Sequence, residues 1–382
     1  MSGGLKGPMS ADLVWAKVLR PRIPLVYLDL NTIIYIARTF GGHNNVPTGF
    51  VELYESAVRA KREKRAMFPL GESHLWEISK ITDPKQRGHL ADILETLSDF
   101  RYLLGRTSIA ELEFEAGIAK VMGEDVTSRS LMLVRPTVGQ VFGRVGGVNI
   151  VDEGGNDVSD GVHAGMSDAE FGALKAELNY KFERGILRGP SDQHVVALRG
   201  KLDYRPEVAI ASHQSRVGWE LDTERVLNRD PNWRRGRLRD LIGAREITHE
   251  WLDLFTRLRI ERLQAGLPTF DPSEDEMRSF FGSMPHTQVA ISVKTRLHQD
   301  PRHQWTPNDI SDIDAISVAY PYCEAVFPDK AMRAALINSK ELRRLGTFVP
   351  RRPQELAEWL DSLPGLVAPD VVVPHPLNRS VA

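Results

Sequence analysis

Apolar residues along this chain follow two rhythms. Short continuous runs, LVYL at Leu25–Leu28 and AMFPL at Ala66–Leu70, are too brief for helices and read as strands buried on both faces. Other stretches repeat at helical spacing: Phe50, Leu53, Tyr54, Ala57 and Val58 predict a helix over Phe50–Lys64, and Thr32–Phe40 reads the same way. Ser73 is an N-cap candidate for a helix running to Ile81, and Asp83–Pro84 opens another over Gln86–Leu97. Ahead of these lies a loose lead with a short helix over Ala11–Leu19.

The tail repeats the alternation. A helix over Ile310–Tyr320, a strand at Glu324–Phe327, a helix over Lys330–Leu336, a strand at Gly346–Val349 and a last helix over Pro353–Leu363 follow in turn. Strands alternating with helices imply parallel βαβ units, hence an α/β fold. The middle breaks the pattern. Val138–Gly165 is rich in glycine and turn residues and reads as a mobile loop, and Ser167 to about His298 is mostly helical. The expectation is one α/β core built from 22–115 and 301–365, split by a mainly helical insertion over 116–300 and followed by a proline-rich tail, 366–382.

Composition narrows the function. With 382 residues, 42% hydrophobic and 26% charged, the chain is of ordinary globular type. A net charge of −2 means that any nucleic-acid surface is a local patch. The single cysteine, Cys323, excludes a disulfide framework and a cysteine-rich zinc module, and reads as a small buried hydrophobe. No apolar run reaches the roughly 18 residues of a membrane helix, and no secretory h-region opens the chain, so a cytoplasmic protein without membrane contact is expected.

The candidate chemistry is acidic. In open parallel sheets, sites lie beyond the carboxyl ends of strands. Asp29 follows VYL, Glu77 lies in the helix after the second strand, Asp312 and Asp314 open a late helix, and Asp329 follows EAVF. Carboxylates far apart in sequence but alike in place suit magnesium or manganese, hard cations that prefer oxygen ligands. One or two such ions lower the pKa of a water, clamp a phosphate and stabilise a leaving oxygen. Each residue also has a plainer account: Asp29 as a solvated strand end, Asp312 as a charge favoured by the helix dipole, Glu77 as a helix-face residue, Asp329 as part of a turn.

These segments resemble a known family. VYLDLNTIIYI is similar to the first motif of PIN-like nucleases, a hydrophobic strand ending in aspartate followed two residues later by Ser, Thr or Asn. PLGESHLWEISK resembles their second motif, with Glu77 the better match and Glu72 the alternative. NDISDIDAISVAYPYCEAVFPDK looks like the third and fourth. The match covers about a third of the chain. It implies a PIN-like doubly wound parallel sheet flanked by helices. It also implies a metal-dependent endoribonuclease whose Mg2+ or Mn2+ ligands are Asp29, Glu77, Asp314 and Asp329, with Asn31 supporting them and Asp312 close by. RNA, or single-stranded DNA, is the implied substrate, and a homodimer or a protein partner on the insertion is compatible with it. Asp312 and Asp314 lie about 200° apart around a helix, so both cannot face one ion; Asp314 fits the commoner family pattern. Such families often carry Ser or Thr before the last acid, where this chain has Pro328. A catalytically reduced RNA- or protein-binding module is therefore the alternative.

Other features weigh less. Basic runs at Arg59–Arg65, Arg234–Arg239 and Arg257–Arg262 read as solvated helix faces, or as phosphate contacts. Trp233 beside Arg234 reads as core or rim, or as a stacking ring. Lys294 and His298 share a helix face with Arg296 nearby in sequence, which places all three as candidate nucleic-acid contacts beside the metal site, against an ordinary polar face. His249–Glu250 lacks the second histidine of a zincin, and the glycines of Gly143–Gly155 match no nucleotide-binding loop. A strand-end aspartate also serves as nucleophile in haloacid-dehalogenase-like phosphatases, but their second acid is here Asn31.

Overall fold

In this computed structural model the described residues are 12–41, 46–125, 130–141, 149–152, 154–189, 195–196, 199, 205–365 and 373–374. Two strands hold its centre. Val26–Leu28 pairs in parallel with Ala325–Phe327, joining segments some three hundred residues apart. Alternate side chains leave on opposite faces of a strand. Val26, Leu28, Ala325 and Phe327 accordingly face one apolar core, with Ile33, Ile36, Leu53, Leu94 and Leu360. Leu25, Tyr27 and Val326 face another, with Ile313, Ile316, Val289 and Val293. Cys323 is fully buried in the second core.

The expected doubly wound sheet does not form, and the protein is dominated by helices. Among the described residues its strands are two or three residues long and fall into three small sheets: Leu131–Met132, Val18–Arg20 and Val373–Pro374; Val26–Leu28 and Ala325–Phe327; Tyr102–Leu103 and Val134–Arg135. The runs read as further strands contribute single parallel bridges, Leu25 to Met67, Leu70 to Tyr102 and Ala325 to Phe348. The reasons are local. Pro69 has no N–H to give a ladder. Gly346, with φ of 67°, ends a stretch of 3-10 helix only four residues before Pro350. At the other end, a strand at Val18–Arg20 replaces the short helix read over Ala11–Leu19.

Helices surround this centre. Leu30–Phe40, Phe50–Arg62, Pro84–Ser98 and Pro353–Ser362 cover one face. On the other, Pro307–Tyr322 packs against Pro285–Gln299, Pro206–Arg229 and Glu72–Ser79. Asp83 caps Pro84–Ser98 by accepting from the Lys85 N–H at 2.9 Å. Within Val138–Gly165, read as a loop, short helices occupy Val138–Val141 and Ser159–Ala164, while residues 142–148 and 153 lie outside the described set. An aromatic cluster of Phe114, Trp251, Phe255, Phe270, Phe280 and Phe281 ties the helix Arg106–Met122 to the middle of the chain. Among the described residues no helix is long and apolar enough to cross a membrane.

Candidate metal centre

Asp29 sits at the junction of strand Val26–Leu28 and helix Leu30–Phe40, in the N-cap position, yet its carboxylate does not cap the helix. It is 7% exposed and accepts from Asn31 Nδ2 at 3.3 Å. Glu77 comes from the helix Glu72–Ser79 and Asp312 from the helix Pro307–Tyr322. One carboxylate oxygen from each of Asp29, Glu77 and Asp312 lies within 4.8 Å of the other two. Three short elements thus aim three acids at one point.

The electrostatic cost is visible in the titration of the set. Burial first, and then the Asp329 charge, push the Asp29 carboxyl up to about 6. Glu77 is pushed up to about 7 by burial and by Asp29. Asp312 rises to about 9 through burial, Asp29, Glu77 and Asp329. Like charges at such separations oppose joint ionisation unless a cation intervenes. The donor set is all oxygen, which is the preference of Mg2+ and Mn2+. A cavity of about 10 Å³ lies between Asp29, Asp312 and Asp329, floored by Tyr27 and Pro328. The residues present fit a hard divalent cation.

The other predicted ligands divide. Asp329 is close enough to raise Asp29, and its side chain accepts from the Met332 N–H at 2.7 Å, capping the helix Lys330–Asn338. It is therefore a flanking charge with one oxygen committed to the cap. Asp314 is a correction. It lies across the helix from Asp312 and is held by Arg216 Nη1 and Nη2 at 2.6 and 2.7 Å and by Arg106 Nη1 at 2.6 Å. Burial alone would raise this carboxyl, but the Arg106 and Arg216 guanidiniums outweigh it and hold Asp314 below the usual carboxylate range. The family pattern favoured Asp314; helix geometry gives the acidic cluster to Asp312. Glu72, the alternative to Glu77, lies near Asp314 and Arg106 instead.

The phosphate-gripping helix face is also corrected. Lys294 is 3% exposed, with Nζ 2.7 Å from Glu220, 2.6 Å from Glu246 and 3.6 Å from Glu250. His298 is wholly buried between Glu220 at 2.8 Å and Glu224 at 2.5 Å. Burial raises Glu220, yet Lys294 and His298 pull it down to about 2. Arg296 is half-buried and donates to Gln299 and the Asn338 carbonyl. The shared helix face is real, but it points inward to a glutamate cluster. The basic runs are largely engaged too: Arg59 with Asp361, Lys61 with Asp99, Arg234 with Glu224, Arg239 with Glu341, and Arg262 with Glu124. Trp233 packs on a small cluster with Leu227, Leu238 and Ile242 and carries Arg237 over its ring.

Three residues escaped the sequence reading. His74 is buried, accepts from the Gly71 N–H through Nδ1 at 2.8 Å and donates through Nε2 to the Leu28 carbonyl at 2.7 Å. That pattern fixes a neutral tautomer, and burial lowers its pKa to about 4. His74 thereby pins the Glu77 helix to the strand end that presents Asp29. Tyr27 bonds Ser73 at 3.0 Å, and burial and the nearby Asp29 charge raise its phenol well above the ordinary range. Lys80 reaches Asn308 at 3.0 Å, with Glu77 and Asp312 as its charged neighbours. A histidine on an apolar helix face was the available signal for His74; nothing in the sequence singled out the other two.

Beside the cluster lies a much larger cavity, about 890 Å³, walled by the helices Glu72–Ser79, Pro206–Arg229 and Pro307–Tyr322 among others. Compared with protein-family models, curated proteins and solved structures, the chain matches none.

Proposed function

We propose that this protein is a divalent-metal-dependent nuclease that hydrolyses phosphodiester bonds in RNA. The observation that carries the reading is the convergence of Asp29, Glu77 and Asp312, with an oxygen of each within 4.8 Å of the others. The likeness of their sequence motifs to those of PIN-like nucleases directs it from cation binding to phosphodiester chemistry. Asp29, Glu77 and Asp312 would hold Mg2+ or Mn2+, which when bound supplies Lewis acidity toward a phosphodiester and its attacking water.

The chain's own groups do the positioning. Asn31 fixes one oxygen of Asp29. His74 holds the Glu77 helix against the Leu28 carbonyl. Asp329 adds negative charge beside Asp29 and so favours a cation over an empty cluster. Lys80, on an exposed position next to Glu77 and Asp312, supplies a cation able to meet a phosphate oxygen. Such a substrate accords with a cytoplasmic site of action.

The test is Mn2+-dependent cleavage of mixed single-stranded RNA and DNA by wild type, Asp29→Asn and Asp312→Asn. RNA cleavage by wild type that both variants lose supports the reading. An Asp29→Asn protein that cuts as fast as wild type, or a wild type that neither cuts nor gains thermal stability with Mn2+, overturns it in favour of a binding module.

A further inference from the structure

The large cavity shares its walls with the carboxylate cluster. Trp76 precedes Glu77 on one helix, Ser311 precedes Asp312 on another, and Trp76 and Ser311 line the cavity. Tyr27 and Ala315 line both this cavity and the small one between Asp29, Asp312 and Asp329. At about 890 Å³ it lies within the range of small-ligand sites, roughly 300–1,000 Å³.

Its lining is specific in character. Two flat pairs stand in it: Trp76 on His213, with centroids 4.3 Å apart and planes 4° from parallel, and Trp219 on His249, at 5.1 Å and 14°. Its two buried guanidiniums are already matched. Arg106 bridges Asp314 and Glu250 at 2.6 and 2.8 Å, and Arg216 joins the same two acids at 2.6 and 2.8 Å. Matched guanidiniums leave little net positive charge for a phosphate. They do leave carboxylate lone pairs, and the hydroxyls of Thr107 and Ser212 line the same cavity. Aromatic faces with scattered donors and acceptors, and no unmatched buried guanidinium, suit a flat neutral heterocycle.

We propose that this cavity is a nucleobase chamber. It takes the base of a nucleotide adjoining the phosphodiester presented to Asp29, Glu77 and Asp312. The inference rests on the nuclease reading for its choice of ligand. It sets the substrate class: a base stacked within a duplex cannot enter a walled cavity, so the substrate is a single strand whose base swings free.

The experiment uses the full chain carrying Asp312→Asn, without divalent ions, so that RNA is bound and not cut. The probes are a short fluorescein-labelled single-stranded RNA of mixed sequence, its abasic counterpart and the same RNA annealed to its complement. Two variants are added to that background. Trp219→Ala removes a stacking face. Ser212→Trp fills the cavity from an exposed helix position, where no core contact is lost. Alanine substitution of a base-stacking ring weakens binding by about tenfold or more. Both variants are therefore expected to weaken single-stranded RNA about tenfold, leaving the already weaker abasic and duplex probes unchanged. Abasic RNA bound as tightly as intact RNA, or intact RNA bound equally by parent and both variants, overturns the chamber. Cleavage on the Asp312 protein separates the two proposals. Cleavage with an unaltered KM in both variants removes the chamber and leaves the nuclease. Base-dependent binding without wild-type cleavage removes the nuclease and leaves the chamber.

Discussion

Asp312 and Asp314 lie two residues apart, and the structure assigns them opposite contributions to stability. Asp312 faces Asp29 and Glu77, and its carboxyl titrates near 9 instead of the ordinary 3.8. Folding at neutral pH therefore returns a proton to a group that is ionised when unfolded. Roughly three units at about 1.4 kcal/mol each set a ceiling near 4 kcal/mol for that cost. Screening and relaxation at an effective dielectric constant of about 20 reduce it to on the order of 1–2 kcal/mol. Asp312→Asn removes the cost with little change of shape, so the metal-free protein should be stabilised by that amount.

Asp314→Asn removes one charge from a buried four-residue network in which Arg106 and Arg216 are 13% and 11% exposed. Breaking such a pair costs roughly 3–5 kcal/mol, less whatever the retained amide oxygen recovers. The assay is urea unfolding at neutral pH with and without MnCl2. Wild type and Asp314→Asn should each gain about 2.7 kcal/mol at a Mn2+ concentration a hundredfold above the dissociation constant, and Asp312→Asn should gain none. A destabilised Asp312→Asn that still responds to Mn2+, together with a neutral Asp314→Asn that does not, would refute the assignment.

Three further outcomes are expected. Asp29, Glu77 and Asp312, and the wholly buried Glu113 that accepts from the Tyr322 hydroxyl at 2.7 Å, titrate near 6, 7, 9 and 8, above their unfolded values, so the native state holds protons that the unfolded chain releases. Metal-free stability should fall as pH rises from the ordinary carboxylate range toward about 9, and Mn2+ should flatten that slope. A metal-free melting temperature that climbs from pH 6 to pH 9 would contradict this. On the acid side, Glu220 sits near 2, so its contribution is present above its ordinary 4.5 and fades as pH drops below it. His74→Ala leaves the Leu28 carbonyl and Gly71 N–H unmatched and should cost about 2–3 kcal/mol in urea unfolding, with loss of the Mn2+ response. Lys294→Ala leaves the buried Glu246 without its paired cation and should cost about 3–5 kcal/mol without removing the Mn2+ response of whatever protein remains folded; a surface phosphate contact would instead show weakened RNA binding at unchanged stability.

The local pieces were legible in the amino-acid order. VYL followed by Asp29 had to be a short buried strand with an acid at its end, because four consecutive apolar residues between Pro24 and Asp29 suit no helix. Thr306 and Asp309 formed a capping box, and Asp83 and Asp329 capped the helices they precede, all by contacts within three residues. Asp29 and Asp329 were visible because each follows a short apolar run, and Glu77 and Asp312 because they fall on the helices read around them.

Which of them meet was settled by long-range packing. Whether Asp312 or Asp314 joins Asp29 depends on how the helix Pro307–Tyr322 is rotated about its axis. That rotation is set by packing of Ile313 and Ile316 in the central core and by Arg106 and Arg216, from distant segments, capturing Asp314. The inward turn of Lys294 and His298 is likewise set by Glu220, Glu224 and Glu246, up to 78 residues away. The expected sheet failed because period and length report burial, not how many backbone partners a segment will find; Pro69, Gly346 and Pro350 cut those partners to single bridges. The large cavity has no sequence signature, since its walls come from segments that touch only once the helices of the middle close over the strand pair.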